Sequence, residues 1–394
     1  MVTTFFPPYH FGGDAHFVQR LSNALARRGH RVTVIHSIDA YRVLERKQPQ
    51  EETALEPGVE VRPVRSRLGK VSALATYLSG RPVFTAPDLD AVFAGERFDV
   101  VHFHNISLVG GPGVLAYGDG VKLYTLHEHW LVCPMHVLWR YNRELCEKPH
   151  CFSCSLAFRR PPQLWRYTNL LEQALDNVDA FLAPSRFVRE AHHSRGFSRP
   201  IRHLPPFLPG ATMQPSGKTT RPERPYFLYV GRLERIKGVH TLLDVFRSYT
   251  DADLVVAGSG TQEQALRRQA ADNARVRFLG RVQPTALASL YAGAVALIVP
   301  SVGYEVFPLV SLEAFAQRTP VIARRLGGLA EAVEDSGGGF LYRDERELIE
   351  AMETLRNDSG LREELGERGH ASLQSRWSEQ AHVERYLSII EALR

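Results

Sequence analysis

Residues 304–323, YEVFPLVSLEAFAQRTPVIA, decide how this chain is read. An apolar helical stretch opens at Pro308, and TPVIA follows it as a strand. VALIVPS (295–301), just upstream, is strand-like as well. Strand, helix and strand in that order make one crossover unit of a parallel sheet. The stretch also sets Glu305 and Glu313 eight positions apart, one before the helix and one inside it. An amphipathic surface helix with an acidic start would account for this. So would a polyhydroxyl ligand whose anionic part sits on the helix N-terminus, where unpaired N–H groups and the helix dipole favour negative charge. A carboxylate laid on a phosphate would repel it, so in that case both glutamates serve neutral parts of the ligand.

The same alternation extends in both directions. YFLYVGRL, ADLVVAGSG, RVRFLGRV and GGFLY are strands or strand–turn units, separated by the helical runs GVHTLLDVFRSY, EQALRRQAAD and TALASLYAGA. In the first half, AHFVQRLSNALARRGH is helical, with Gly29 ending it. RVTVIHS, VEVRPV, FDVVHFHN, KLYTLHEH and DAFLAPS are strands. VTTFF reads as a first strand a few residues short, at the edge of the sheet. The expected fold is α/β, with two doubly wound Rossmann-like domains facing a cleft at the carboxyl ends of their sheets. The expected boundaries are 1–206 for the first domain and 207–222 for a Pro/Gly/Thr/Ser-rich linker. The second domain runs over 223–376, and 377–394 is a last helix crossing back to the first.

A chain of 394 residues, 44% hydrophobic and 23% charged, is long and apolar enough for two buried cores. No apolar run reaches membrane-spanning length, and the N-terminus lacks the pattern of a signal peptide. The expected location is therefore the cytoplasm, with a peripheral position at the inner face of the membrane left open. A net charge of +5 without a nucleic-acid module points away from nucleic acid and toward anionic small molecules or anionic lipid.

Three strand-to-helix turns carry the candidate chemistry. In LYVGRLERIKGV, Gly231 permits a tight turn, and Arg232 and Lys237 supply two cations suited to a diphosphate. Solvated cations at a helix entry are the bland alternative. Gly258 in VVAGSGT lets backbone approach a ligand, although most such loops are only turns. At the third turn Pro308 fits the first helical turn, and the N–H groups of Leu309 and Val310 are expected to point at an anion. The motif DAD (251–253) precedes a strand and reads as a turn rather than a metal motif. His102, at a strand end, reads as a hydrogen-bonded core residue.

The ordered set GGD, GRLERIKG, AGSG, FLGRV, E-x7-E and GGLAE resembles the GT-B glycosyltransferases of family 4 over nearly the whole chain. The resemblance implies metal-independent transfer of a sugar from a nucleotide-diphosphate sugar, with retention of configuration. It implies that Arg232 and Lys237 neutralise the diphosphate, Glu305 holds the donor sugar and Glu313 the ribose. It places the base near Arg281 and Val282, and Gly12 and Gly13 against phosphate and sugar. Phe307 belongs to the same donor loop, and His127 stands near the reacting face. Val306 and Pro308 depart from the glycines many members carry, so the identity of the sugar does not transfer. The expected acceptor is a glycan, a lipid-linked saccharide or a small molecule. An inactive binding subunit and a nucleotide-sugar epimerase are the alternatives.

All four cysteines fall in 133–154, an insertion in the first domain. Cys151 and Cys154 have the C-x2-C spacing that lets two thiolates share a zinc ion. Cys133 and Cys146 complete a four-sulfur set, with His136 or His150 as substitutes. Such a zinc would be structural, and no cofactor is expected for catalysis; four unrelated thiols are the alternative. SRLGKVSALATYLSGRP (66–82) and FRRPPQLWRYT (158–168) mix cations with apolar residues. They read as solvated amphipathic faces or as contacts to anionic membrane.

Overall fold

The computed structural model describes residues 1–45, 49, 54–210 and 224–394. The chain divides into two compact units, Met1–Leu204 with Val383–Arg394, and Pro205–His382. From residue 211 on, the expected linker lies outside the described residues.

The second unit is built on six parallel strands. Their order across the sheet is Val276–Gly280, Asp253–Ala257, Tyr226–Val230, Ala296–Val299, Val321–Arg324 and Gly339–Tyr342. Alternation along Tyr226–Val230 sends Phe227 and Tyr229 into one core and Tyr226 and Leu228 into the other, so both faces are covered. Helix Val239–Ser248 buries Leu242, Leu243 and Phe246 on one face. Helix Leu309–Ala316 buries Leu312 and Phe315 on the other, where Phe315 stacks on Trp377. Each such side chain is worth about 1.5–3 kcal/mol when fully buried. The strand order reverses between Tyr226–Val230 and Ala296–Val299. In open α/β sheets that switch point opens a crevice at the carboxyl ends.

The first unit has parallel strands Val100–Phe103, Val121–Thr125, Ala180–Ala183 and Ile201–His203, and a parallel pair Val32–Ser37 and Val59–Val64. Here the reading of VTTFF is corrected. Val2 bridges Ile35 on one side and Phe103 on the other, so the short opening segment lies between the two groups of strands and not at an edge. Its backbone satisfies both: Val2 N–H donates to His102 O at 2.8 Å and Thr3 N–H to Ile35 O at 3.0 Å. Two-sided pairing outweighs shortness, because a buried backbone group left unpaired is costly. Helix Gly13–Ala26 follows and buries Phe17, Val18 and Leu21. Helix Arg186–His193 starts where Ser185 accepts the Val188 N–H at 3.2 Å. In the last helix, Glu379–Glu391, Tyr386 is buried and its hydroxyl lies 3.2 Å from His102 Nδ1.

Candidate active site

The carboxyl ends of the second unit's strands gather the residues singled out in the sequence. A glycine is required here for packing. A Cβ on Gly258 would stand 1.8 Å from the Gly231 carbonyl oxygen, at a φ of +146° that other residues avoid. Gly231 N–H donates to Ala257 O at 3.0 Å and Gly258 N–H to Gly280 O at 2.7 Å, which locks three strand ends together. Gly258 therefore acts as a spacer between turns, which by itself accounts for the glycine.

Beyond Gly231, Arg232 is exposed and Lys237 is not. Lys237 Nζ donates to Glu305 Oε2 at 2.7 Å, with both side chains about one fifth exposed (23% and 18%). Ser301 donates its hydroxyl to the other oxygen of Glu305. Burial works against the Glu305 charge, but Lys237, Ser301 and Arg232 outweigh it and hold the carboxyl below its usual range. The loop is pinned on both sides. Val302 N–H donates to Ile236 O at 2.9 Å, and Gly328 N–H donates to Glu305 O at 3.2 Å. A Cβ on Gly328 would lie 2.6 Å from that same carbonyl. Ser301 and Gly328 are hydrogen-bond partners of Glu305 that sequence reasoning missed. GGLAE was noted only as part of a motif, and nothing in VPS marks the serine as a carboxylate partner.

Helix Leu309–Ala316 begins one residue later than expected. Pro308 is its N-cap, with a non-helical ψ of 88°. Leu309 N–H is not free for an anion, because it lies 3.1 Å from the Phe307 carbonyl. The non-helical ψ at Pro308 accounts for both differences: the helix starts only at Leu309, and the next N–H folds back on the loop. Val310 is half-buried at the same turn, and Phe307 packs 6.1 Å from Trp377. Glu313 accepts the hydroxyl of the fully buried Tyr291 at 2.9 Å. Arg281 is exposed and Val282 half-buried just past Gly280. The DAD carboxylates are taken up in surface ion pairs, Asp253 with Arg224 at 3.3 Å and Asp251 with Arg356 at 3.0 Å.

In the first unit, Gly12 is the extended N-cap of its helix and Gly13 the first helical residue. His127 follows strand Val121–Thr125, and its Nε2 lies 2.9 Å from His104 Nδ1, with the rings stacked at 5.1 Å. Burial, then His102 and His127, push the His104 ring well below the usual histidine range, so it is neutral. The bond to His127 thus carries a single proton. His102 sits in the core with its Nε2 2.8 Å from Thr125 Oγ1.

Cys133, Cys146, Cys151 and Cys154 line one small chamber, and His150 shares its wall. Tyr141 N–H lies 3.3 Å from Cys154 Sγ, and burial raises the thiols of Cys133, Cys146 and Cys151. Among the described residues, no group of three or more His, Cys, Asp or Glu side chains is placed to hold a metal ion.

The model of Glycosyltransferase Family 4 matches residues 11–209, half of the chain, and that of Glycosyl transferases group 1 matches residues 214–372. The chain belongs to glycosyltransferase family 4. This family 4 chain is similar to the lipopolysaccharide core biosynthesis glycosyltransferase LpsE of Rhizobium meliloti, 28% identical over 54% of this chain and 64% of that protein. It is 39% identical to a Mycobacterium tuberculosis glycogen synthase over 33% of this chain and 34% of that enzyme. To the D-inositol 3-phosphate glycosyltransferase of Nocardiopsis dassonvillei it is 28% identical over 84% of this chain and 78% of that protein. With the first two of these, the matched stretch spans less than two thirds of the relative's own length. Among solved structures, sucrose-phosphate synthase from Thermosynechococcus elongatus matches with a TM-score of 0.74 at 20% identity, over 100% and 98% of the two chains. Anabaena HepE in complex with UDP-glucose matches at 0.68 and 17%, over 99% of both. These likenesses show the GT-B fold of two Rossmann-like units.

Proposed function

We propose that this protein is a retaining glycosyltransferase. It moves a sugar from a nucleotide-diphosphate sugar to a saccharide, a lipid-linked saccharide or a small molecule, without a catalytic metal. The observation that carries this reading is the Lys237–Glu305 pair, braced by Ser301 at the switch point of the second unit's sheet. A paired, ionised carboxylate accepts hydrogen bonds from sugar hydroxyls, while the ammonium beside it has donors to spare for a diphosphate oxygen. Arg232 adds the second cation, the turn at Phe307 and Val310 faces the phosphate end with the Leu309 N–H already taken, Glu313 takes the ribose, Arg281 and Val282 border the base, and Gly258 lets backbone approach the donor. Gly12, Gly13 and His127 enter through the resemblance to the family. HepE binding UDP-glucose supports a nucleotide-sugar donor, and relatives named for glycogen, inositol phosphate and lipopolysaccharide leave the acceptor class broad.

In this reading the bond from the anomeric carbon to the diphosphate breaks, and the acceptor oxygen attacks the same face. The acceptor's proton passes to the departing phosphate oxygen. Charge grows on the diphosphate in the transition state, so Lys237 and Arg232 matter more there than in the ground state. A thermal-shift panel of UDP, GDP, ADP and TDP against wild type and Glu313→Ala tests the site. One nucleotide should raise the melting temperature of the wild type and not of the variant. No stabilisation by any of them would put the binding-subunit reading ahead.

For the four cysteines we propose a structural zinc ion, which would need the thiols to close in from where they stand. Supporting it, all four thiols line one chamber. The Arg166 guanidinium, sandwiched at 4.9 and 4.6 Å by Trp130 and Trp165, lies within electrostatic reach of Cys133 and Cys151. Arg166 makes no salt bridge to a carboxylate among the described residues, and four metal-bound thiolates would supply the missing negative charge. Protein purified without chelator should hold one zinc per chain and, with cobalt substituted, show thiolate-to-cobalt absorption. Metal-free protein with four rapidly titrating thiols would remove the idea.

A further inference from the structure

Two stretches of the first unit contain no Asp or Glu at all, residues 61–87 and 148–171. They hold ten of the thirteen large hydrophobic side chains exposed among the described residues. Isolated exposed apolar residues are ordinary, but a concentration of this kind marks a surface built to meet something.

The fold brings the two stretches together. Trp165 Nε1 donates to Tyr77 O at 3.0 Å, and the Tyr77 hydroxyl donates to Pro161 O at 3.0 Å. Trp165 and Tyr77 are buried in this seam. Helix Lys70–Ser79 therefore spends Ser72, Ala73, Thr76 and Tyr77 on the interior. Its outward positions Val71, Leu74 and Leu78 recur at three- and four-residue spacing and are 57%, 49% and 44% exposed. An ordinary surface helix carries its polar residues there. Beside it, the 3-10 turn Leu164–Tyr167 turns out its two end residues, 65% and 64% exposed. Arg65, Arg67, Lys70, Arg81, Arg159 and Arg160 on the same stretches are all exposed, and none forms a salt bridge among the described residues.

We propose that this face, helix Lys70–Ser79 with the turn Leu164–Tyr167, docks the protein on an anionic lipid bilayer. Its composition selects that occupant. Exposed apolar side chains on two stretches that carry exposed cations and no acidic residue of their own match an interface of acyl chains beneath anionic headgroups. Among the described residues no helix is long and apolar enough to cross a membrane, so the attachment is peripheral. The face shares no residue with those proposed for transfer, and the inference stands whether or not that reading does.

The test is co-sedimentation of the full chain with phosphatidylcholine vesicles, with and without 30% phosphatidylglycerol. Binding should be at least tenfold tighter to the anionic vesicles and should weaken in high salt. At about 1 kcal/mol per cation near the surface, Arg159→Glu with Arg160→Glu should cost about thirtyfold or more. Val71→Glu with Leu74→Glu should weaken binding at least tenfold while the melting temperature and nucleotide stabilisation stay as in wild type, since both side chains already face solvent. Wild type that ignores anionic vesicles, or binding that neither variant alters, overturns the proposal. Wild type that instead retains an acidic protein while ignoring vesicles overturns it too, in favour of a protein partner.

Discussion

The strand ends of the two units hold opposite electrostatic arrangements on the same kind of sheet. In the second unit, Lys237 pairs with Glu305 and helps hold that carboxyl below its usual range in a half-open loop. In the first, His104 and His127 share one proton, and burial keeps His104 neutral. A parallel sheet offers the same crevice in both cases, so the side chains placed there decide whether it suits an anion or a proton and neutral hydroxyls. The proposed division of labour follows this difference, with the diphosphate on the charged unit.

The strongest test removes the charged side of the contrast. Lys237→Ala or Glu305→Ala should lower sugar transfer by about 10²–10³-fold, the range for losing one preorganised partner of developing charge. The protein should stay folded by circular dichroism, because the pair is part-exposed. Near-wild-type rates in either variant would break the comparison.

Acid should then separate the units. Burial lowers His36 and His192 from 6.5 to about 4. The folded state keeps these rings neutral while the unfolded chain takes up protons, so stability is intact above pH 6.5 and falls as pH drops toward 4. Each ring contributes up to about 3 kcal/mol of that loss. Glu305 has the same sign in a lower pH window, since its lowered carboxyl stays ionised and paired until pH falls below the ordinary carboxylate range and its contribution is lost only there. Three of the four tryptophans, Trp130, Trp139 and Trp165, belong to the first unit and report on it by fluorescence. That signal should fail in urea titrations at pH 5 at lower urea than at pH 7.5. A midpoint independent of pH would count against the buried neutral histidines.

Gly258→Ala should destabilise the second unit by about 2–3 kcal/mol, read as a lowered melting temperature, because its methyl group meets the Gly231 carbonyl. Little change would mean that the strand ends separate more easily than this packing implies. The smallest effect belongs to His104, a positioning residue. His104→Ala should lower kcat about tenfold by freeing the His127 ring, with KM for the donor unchanged. A change in donor KM instead would show that the first unit shares the charged ligand.

Much of the site was legible because it is local. Gly231, Arg232 and Lys237 occupy one strand-to-helix turn, and the two glutamates flank one helix start, so spacing alone brings them near a strand end. The apolar alternation that defines both sheets is local too. Proline at position 308 misled at the scale of a single bond: a residue suited to the first helical turn became the cap, and the following N–H turned to Phe307. VTTFF misled because its length says nothing of what lies on either side of it.

The sequence by itself determined the alternation of strands and helices, the two-unit plan and the identity of the charged residues at the turns, because backbone periodicity and turn chemistry act over a few residues. Tertiary structure alone decided the partners. Lys237 meets Glu305 across 68 residues, His104 meets His127 across 23, Trp165 meets Tyr77 across 88, and four thiols converge without reaching ligating spacing. Side-chain charge and hydrogen bonding act over a few ångströms of space, and only the packed sheet brings such distant residues that close.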